Sequence, residues 1–343
     1  MHKYCVAALI IFLACFPYKS RGQINADSAF QSVEKMIQYL WNRDHDSTYI
    51  ESFRDKLNVR LLAVNKYTFF TLRDKVNNSS LAYRPGTGLN LGFGVTYNWF
   101  SVDLAFNVGI REDKIPDSDF FDFQGAVFTT KFLVEGALKY YYGYEINNVR
   151  DLNIEADENI RSDIRTINFG LSFLYALRYD KFSMKAPFVF NEIQRRSAGS
   201  PIFGASFNSY TLDADSSLIG PSVAEFFNQP LQSLEGVNML SVNLNVGYMH
   251  SFVIKERFFL TLGLIPGLSF TAGDYATENR VPRNFHLSGM TKTIFALGYN
   301  SKRFFGGLQL MADFDLYRLE KQMHLISGHG KSKFYIGYRI KRR

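Results

Sequence analysis

Residues Thr87 to Gly109, TGLNLGFGVTYNWFSVDLAFNVG, read as two strands spelled out one residue at a time. Leu89, Leu91, Phe93, Val95, Tyr97 and Trp99 alternate with Asn90, Gly92, Gly94, Thr96 and Asn98. After a break at Asn98 to Ser101, Val102, Leu104, Phe106 and Val108 alternate with Asp103, Ala105, Asn107 and Gly109. Successive side chains on a strand point to opposite faces, so each strand carries one apolar face and one polar or tiny face. A soluble sandwich turns the apolar face inward. A membrane barrel turns it to lipid and gives the polar face to a wet lumen.

The rest of the chain favours the barrel. Leu57 to Arg73 makes a long first strand, and the quoted hairpin supplies the second and third. Arg111 to Asp122 is a charged loop. Gln124 to Leu133 is a strand, and a tight turn at Val134 to Gly136 starts the next, with Leu138, Tyr140, Tyr142 and Tyr144 on one face and Lys139, Tyr141 and Gly143 on the other. Asn147 to Ser162 is a polar loop and Asp163 to Leu177 a strand. Further strands are expected at Phe182 to Phe190, Ser200 to Thr211, Asn238 to Phe252, Phe258 to Phe270, Gly289 to Tyr299, Phe304 to Tyr317 and Lys331 to Ile340. Most exceed the roughly 9 to 11 residues that a tilted strand needs to cross a bilayer, and soluble strands usually run about five or six.

Connections point the same way. Breaks near Asn98, Val134, Tyr179, Lys255 and Lys302 read as short, those near Lys114, Leu152, Leu218, Asn279 and Leu325 as long and polar. That is an outer-membrane barrel with its short side in the periplasm. The count is about thirteen, whereas both ends on one side require an even number. A strand hidden in Leu218 to Phe227 gives fourteen; twelve is the alternative.

The first residues look like an export leader. His2 and Lys3 precede an apolar run from Val6 to Phe16, and Ser20-Arg21-Gly22 places small residues about a cleavage point before Gln23. Leu13-Ala14-Cys15 also resembles the end of a lipobox, which would lipidate Cys15. Cys5 and Cys15 are the only cysteines, so a chain cleaved after residue 22 has no thiol for a disulfide or a metal. Cleavage also removes Lys3, Lys19 and Arg21 and takes the net charge from +7 to +4, no nucleic-acid footprint. The aromatic share of 16% suits the girdles at the two interfaces of a barrel. Asp27 to Arg43 is a helix candidate, with Phe30, Val33, Ile37, Leu40 and Trp41 at helical spacing and Asp27 or Ser28 as cap. The organisation expected is therefore a leader at 1–22, a periplasmic helix and connector at 23–55, and a barrel at 56–343.

Several segments resemble a known family: Asp46-Ser47-Thr48-Tyr49-Ile50, Leu81-Ala82-Tyr83-Arg84-Pro85, Leu89-Asn90-Leu91-Gly92-Phe93-Gly94, Phe182-Ser183-Met184-Lys185-Ala186, Gln194-Arg195-Arg196-Ser197-Ala198-Gly199-Ser200 and Asp215-Ser216-Ser217-Leu218-Ile219. They are similar to the Bacteroidetes domain of unknown function 4421, outer-membrane barrels of about this length, from about Asp46 to the end. The resemblance implies the barrel and its membrane. It brings no activity, ligand or catalytic residue.

The candidate chemistry is sparse. Asp313 and Asp315 share a face with Gln309 and Met311. Paired carboxylates can do acid–base work, or form part of a polar lumen balanced by Lys139, Arg60, Lys333 or Arg339, the reading adopted here. Asn90, Asp103, Asn107, Asn243 and Asn245 are further lumen candidates. Arg195, Arg196 and Ser197 form an anion-binding candidate, two guanidiniums beside small residues. His324 and His329 read as loop histidines, and with Glu320 they fall short of a metal set. No cofactor is expected. Phe334, Ile336, Tyr338 and Ile340 make the last strand a signal for barrel-assembly machinery, followed by Lys341-Arg342-Arg343. The expectation is an all-β, antiparallel, up-and-down transmembrane barrel in the outer membrane, in contact with its lipid and lipopolysaccharide. Its role would be structural or that of a narrow pore for small polar solutes. A rim enzyme acting on lipid or peptide and a surface protein binding partners through its long loops are the alternatives.

Overall fold

The computed structural model describes residues 45–53, 55–97, 100–111, 115, 118–148, 159–277, 281–319 and 323–340. The leader, Cys15 and the helix expected at Asp27 to Arg43 lie outside the described residues. Fifteen strands are present among them. They are β1 (Ile50–Ser52), β2 (Leu57–Asp74), β3 (Ser79–Pro85), β4 (Gly88–Tyr97), β5 (Phe100–Arg111), β6 (Asp119–Phe128) and β7 (Phe132–Ile146). There follow β8 (Ile160–Ala176), β9 (Glu192–Gln194), β10 (Ala198–Asp213), β11 (Gly236–Ile254), β12 (Phe258–Ala276), β13 (Val281–Asn300), β14 (Phe304–Arg318) and β15 (Met323–Ile340).

Every pairing is antiparallel, and ten strands close on themselves in the order β15-β14-β13-β12-β11-β10-β8-β7-β3-β2 and back to β15. Leu57 pairs with Ile340 at what we call the terminal end, and Asp74 with Met323 at the far end. Three strands sit outside the closed ring: β4 on β2, β5 on β4, and β6 on β7. β3 and β4 lie end to end along β2, so the thirteen strands amount to twelve passes of chain.

The apolar face is outside. Along β11, Val242, Leu244 and Val246 are 51–56% exposed, while Ser241, Asn243 and Asn245 between them are 0–4% exposed. Leu91, Phe93, Leu104, Phe106, Phe169, Leu171, Leu264, Phe270, Phe334 and Ile336 repeat the pattern on other strands. A water-soluble protein rarely exposes so large a contiguous apolar surface; hydrocarbon is the solvent that fits it. Leu244→Arg is therefore expected to destabilise the barrel in lipid by about 2–4 kcal/mol, read as a lowered midpoint of heat-modifiable gel migration. A soluble surface would tolerate it.

Several expectations are corrected. The turn at Val134 to Gly136 lies instead at Thr129 to Lys131, where the Thr129 hydroxyl accepts the backbone N–H groups of Lys131 and Phe132 at 3.2 and 3.0 Å; strand β6 correspondingly starts at Asp119, within the supposed loop. The tyrosine alternation breaks at Gly143, whose φ of +83° makes a bulge between Tyr142 and Tyr144. Tyr144 is thereby turned inward, opposite to Leu138. Gly143 is also where β7 changes partner, from β6 to β3.

Phe182 to Phe190 is no strand. All nine residues are buried, whereas a wall strand must show one face to lipid. Pro187 removes a ladder donor, and the N–H groups of Phe188, Val189 and Phe190 all turn back to the Lys185 carbonyl. Leu218 to Phe227 is no strand either: Pro221 opens a 3-10 helix, Pro221–Phe226. The count of fourteen falls with these two segments. The connection pattern changes too, because 177–197 is long while 277–280 and 319–322 are short; the strands on either side simply continue past their apolar stretches.

Candidate functional site

Both mouths of the ring are filled by the chain itself. At the terminal end, residues 177–197 fold inward as a plug. Phe182, Met184, Phe188 and Val189 pack on Leu133, Leu174, Ile202, Met249, Ile265, Ile294 and Met311 of the surrounding wall. Phe190 lies 4.7 Å from the Phe305 ring and 4.2 Å from that of Tyr335, centre to centre. The segment β9 pairs with β1, which ties the plug to the chain ahead of the barrel.

Wall side chains satisfy the plug's backbone. Asn58 donates to the Phe190 carbonyl at 3.1 Å, Gln309 to that of Pro187 at 2.5 Å, and Asn300 to those of Ala186 and Glu192 at 3.2 and 3.1 Å. Arg339 donates to the Phe190 carbonyl and to Asn300 Oδ1, each at 2.6 Å. Inside the plug, Lys185 pairs with Glu192 at 3.4 Å and the Ser183 hydroxyl donates to the same carboxylate at 2.5 Å. Buried backbone carbonyls in an irregular segment need such donors, and polar side chains on the inward face supply them.

The far end is closed by residues 214–235. Leu218, Ile219, Val223, Phe227, Leu231 and Leu234 are buried against Phe70, Leu72, Tyr83, Ile164, Tyr210, Tyr275, Tyr317 and Leu325, which come from strands all round the ring. The Tyr83 hydroxyl donates to the Leu218 carbonyl. Asp74 accepts the Asn228 N–H at 2.8 Å, and Arg161 donates to the Ser217 carbonyl at 2.8 Å.

Between plug and cap lies a charged chamber. A cavity of about 90 Å³ is lined by Glu135, Lys139, Asn208, Lys292, Asp313, Asp315, His329 and Lys331 among others. Lys292 bridges Glu135 on the opposite wall at 2.8 Å and Asp313 on the neighbouring strand at 3.0 Å. His329 Nε2 stands 3.4 Å from Asp313. Asp315 instead accepts from Asn208 at 3.2 Å, so the two carboxylates have separate partners. Nearer the terminal end, Asp103 pairs with Lys333 at 2.8 Å and with Arg60. Gly94 makes room for that pair: a Cβ there would run into both the Asp103 carboxylate and the Arg60 guanidinium.

A second cavity of about 260 Å³ shares Gln124, Glu135, Met311 and Lys331 with the first and opens between β5 and β6. Each of these strands is hydrogen-bonded on one side only, and no ladder joins them. Their Cα atoms stand more than 8 Å apart along almost their whole length, against about 4.8 Å for neighbours in a sheet. The wall therefore has a slit in its terminal half, roofed by the β3–β7 pairing.

The residues singled out by sequence divide in three. Lys139, Asn243, Asp313 and Asp315 line the chamber and Gln309 holds the plug, while Asn245 is buried against Met290; Asp103 joins them through its ion pairs. Asn90 donates locally, to the carbonyls of Gly88 and Val64 at 2.9 and 3.3 Å, and Asn107 is exposed on β5. Arg195, Arg196 and Ser197 are engaged separately: Arg195 with Glu256 at 3.0 Å, Arg196 over the Tyr49 ring, and Ser197 Oγ as acceptor of the Val253 N–H. His324 and His329 stand on β15 rather than in a loop, and among the described residues no group of three or more His, Cys, Asp and Glu side chains could hold a metal. Sequence reading missed Lys292, Glu135, Asn58, Asn300 and Lys331. Their one local signal is a charge or amide in inward phase on an alternating strand.

The family model described as a domain of unknown function, DUF4421, matches residues 44–340, from the first described turn to the last strand. The chain belongs to that family. No curated protein is similar enough in sequence to match it. Among solved structures, this DUF4421 barrel is similar to the outer membrane protease OmpT from Escherichia coli, with 8% identity, 84% of this chain and 98% of that one covered, and a TM-score of 0.38. It is also similar to the translocator domain of the autotransporter NalP from Neisseria meningitidis, with 9% identity, 92% and 96% covered, and a TM-score of 0.34. For the Pseudomonas putida toluene transporter TodX the values are 8%, 84%, 90% and 0.25. These scores are too low to bear on what this chain binds or does.

Proposed function

We propose that the chain is an outer-membrane barrel whose lumen is shut along its axis, with the terminal end toward the periplasm. Its contacts are then outer-membrane lipid and lipopolysaccharide on the outward apolar face, and β15 presents Phe334, Ile336, Tyr338 and Ile340 outward as the strand read by assembly machinery. The observation that carries the reading is the pairing of an apolar outer surface with a lumen filled from both mouths by the chain's own plug and cap. It replaces the axial pore for polar solutes with a closed body, because a path along the axis requires both fillings to leave together.

The test is direct. Purified protein should need detergent, migrate differently before and after boiling, and leave planar bilayers silent at any voltage the membrane survives. Stepwise conductance of the unaltered protein would sink the closed axis. A monodisperse monomer in detergent-free buffer would sink the membrane seat.

A further inference from the structure

Among the described residues, the slit between β5 and β6 is the one place where the wall of the barrel is open, and it opens sideways. In hydrocarbon an unpaired strand edge is costly unless it lines a wet cavity or meets a polar partner. Here two such edges face each other across the 260 Å³ cavity. Toward the bilayer the gap is flanked by Val102, Leu104 and Phe123, and its floor is made by Phe128, Phe188 and Val189, with the Phe128 and Phe188 rings 5.6 Å apart. Toward the chamber it ends on lysines.

Those lysines differ from the other cations inside the barrel. Arg60 and Lys333 share the Asp103 carboxylate, Lys292 contacts Glu135 and Asp313, and Lys66 contacts Asp122. Among the described residues, neither Lys139, which is buried, nor Lys331 has a carboxylate oxygen within 4.0 Å or a hydrogen-bond partner. Lys331 lines both cavities and stands where they meet; Lys139 lines the chamber beyond it. A buried ammonium and a half-buried one beside it, neither with a carboxylate in contact, are an incomplete electrostatic set.

We infer that this slit is a lateral binding site for a single-chain amphipathic anion drawn from the bilayer. A carboxylate or phosphate head sits on Lys331 and Lys139, and the acyl chain lies back through the gap along Val102, Leu104, Phe123 and Phe128. The apolar flanks account for the chain, the unpaired cations for the head, and the closed axis for the sideways approach. The inference rests on the membrane seat and shut axis proposed above.

Full-length protein in phosphatidylcholine nanodiscs, titrated with a fluorescent dansyl-undecanoic acid, tests it. Saturable binding is expected, with Lys331→Gln weakening it about tenfold, as loss of one charge-assisted contact does, and Lys331→Arg restoring it. The methyl ester of the same chain should compete poorly. Butyrate and inorganic phosphate, which arrive from water, should also compete poorly; if either matched the long-chain acid, the bilayer source would be wrong. In a Cys5→Ser, Cys15→Ser background, Phe106→Cys with Phe123→Cys should resist disulfide formation, since bridged Cα atoms lie within about 7 Å. A longer bis-maleimide should join that pair across the gap and abolish binding. Ready disulfide formation, or equal binding of acid and ester by unaltered protein and Lys331→Gln, overturns the inference. A silent bilayer with no acid bound defeats this site alone, whereas axial conductance defeats the closed barrel beneath it.

Discussion

Replacing Lys292 with methionine is expected to destabilise the barrel by about 3–5 kcal/mol, the cost of leaving buried carboxylates without their cation. Lys292 is 6% exposed and stands on β13, yet its 2.8 Å contact is with Glu135 on β7, five strands away round the ring in either direction. Its second contact, 3.0 Å to Asp313, is with the adjacent β14. The side chain is thus a strut across the chamber, and methionine keeps its length while removing both charge-assisted hydrogen bonds. The readout is the temperature or urea concentration at which the compact gel species gives way to the unfolded one. The decisive arm is rescue. Lys292→Met combined with Glu135→Gln and Asp313→Asn should recover most of the loss, because neutral partners need no cation, and the departure from additivity measures the coupling. A single-variant effect of about 1 kcal/mol or less would place the pair with weak, water-screened surface contacts and would make the chamber far wetter than its burial implies.

The outward-facing wall was legible because alternation is a local property. Leu89 to Val95 and Val102 to Val108 announce their faces without reference to any other strand. The same holds for the inward phase of Asp313, Asp315, Asn243 and Asn245. What could not be read is anything settled across the lumen. Lys292 sits in a plain alternating run, and nothing near it names Glu135, which falls within the turn expected at Val134 to Gly136. The plug deceived for a related reason: Phe182, Met184, Ala186, Phe188 and Phe190 alternate with Ser183, Lys185, Pro187 and Val189, so the segment mimics a wall strand. Two clues argued otherwise, a proline in mid-run and a strand count that came out odd. An extra strand at Leu218 to Phe227 repairs the parity by the wrong operation; removal of the plug segment from the wall is the physical answer, and it leaves twelve passes. The slit had no sequence signal, because β5 and β6 alternate as well as their paired neighbours and only their separation distinguishes them.

Arg339→Met should unseat the plug while leaving the barrel closed around it. Arg339 is 2% exposed near the end of β15, and its guanidinium reaches the Phe190 carbonyl from two nitrogens, at 2.6 and 3.2 Å, as well as Asn300 Oδ1 and the Ser301 carbonyl. It also lies 4.7 Å over the Phe53 ring and 4.9 Å over that of Phe305. Phe190 is the residue it grips, and Phe190 has a φ of +60°, a left-handed conformation that costs a bulky side chain about 1–3 kcal/mol unless its surroundings enforce it. Removing the guanidinium strands the buried Asn300 Oδ1, leaves the Phe190 carbonyl with Asn58 as its donor, and releases that enforcement at once. A loss of about 3 kcal/mol localised to the plug corresponds to about a hundredfold rise in its open population. A lysine-specific protease reads that population, because cleavage follows opening when reclosure is fast. Lys185 is buried in its pairing with Glu192, so cleavage after it should be slow in the unaltered protein and about a hundred times faster in Arg339→Met, with heat-modifiable migration retained. Arg339→Lys should not restore protection, since one ammonium cannot reproduce a planar fork that meets Phe190 and Asn300 together. If Lys185 stays equally protected in Arg339→Met, the aromatic stack of Phe190 with Phe305 and Tyr335 holds the plug by itself and the guanidinium is only its neighbour.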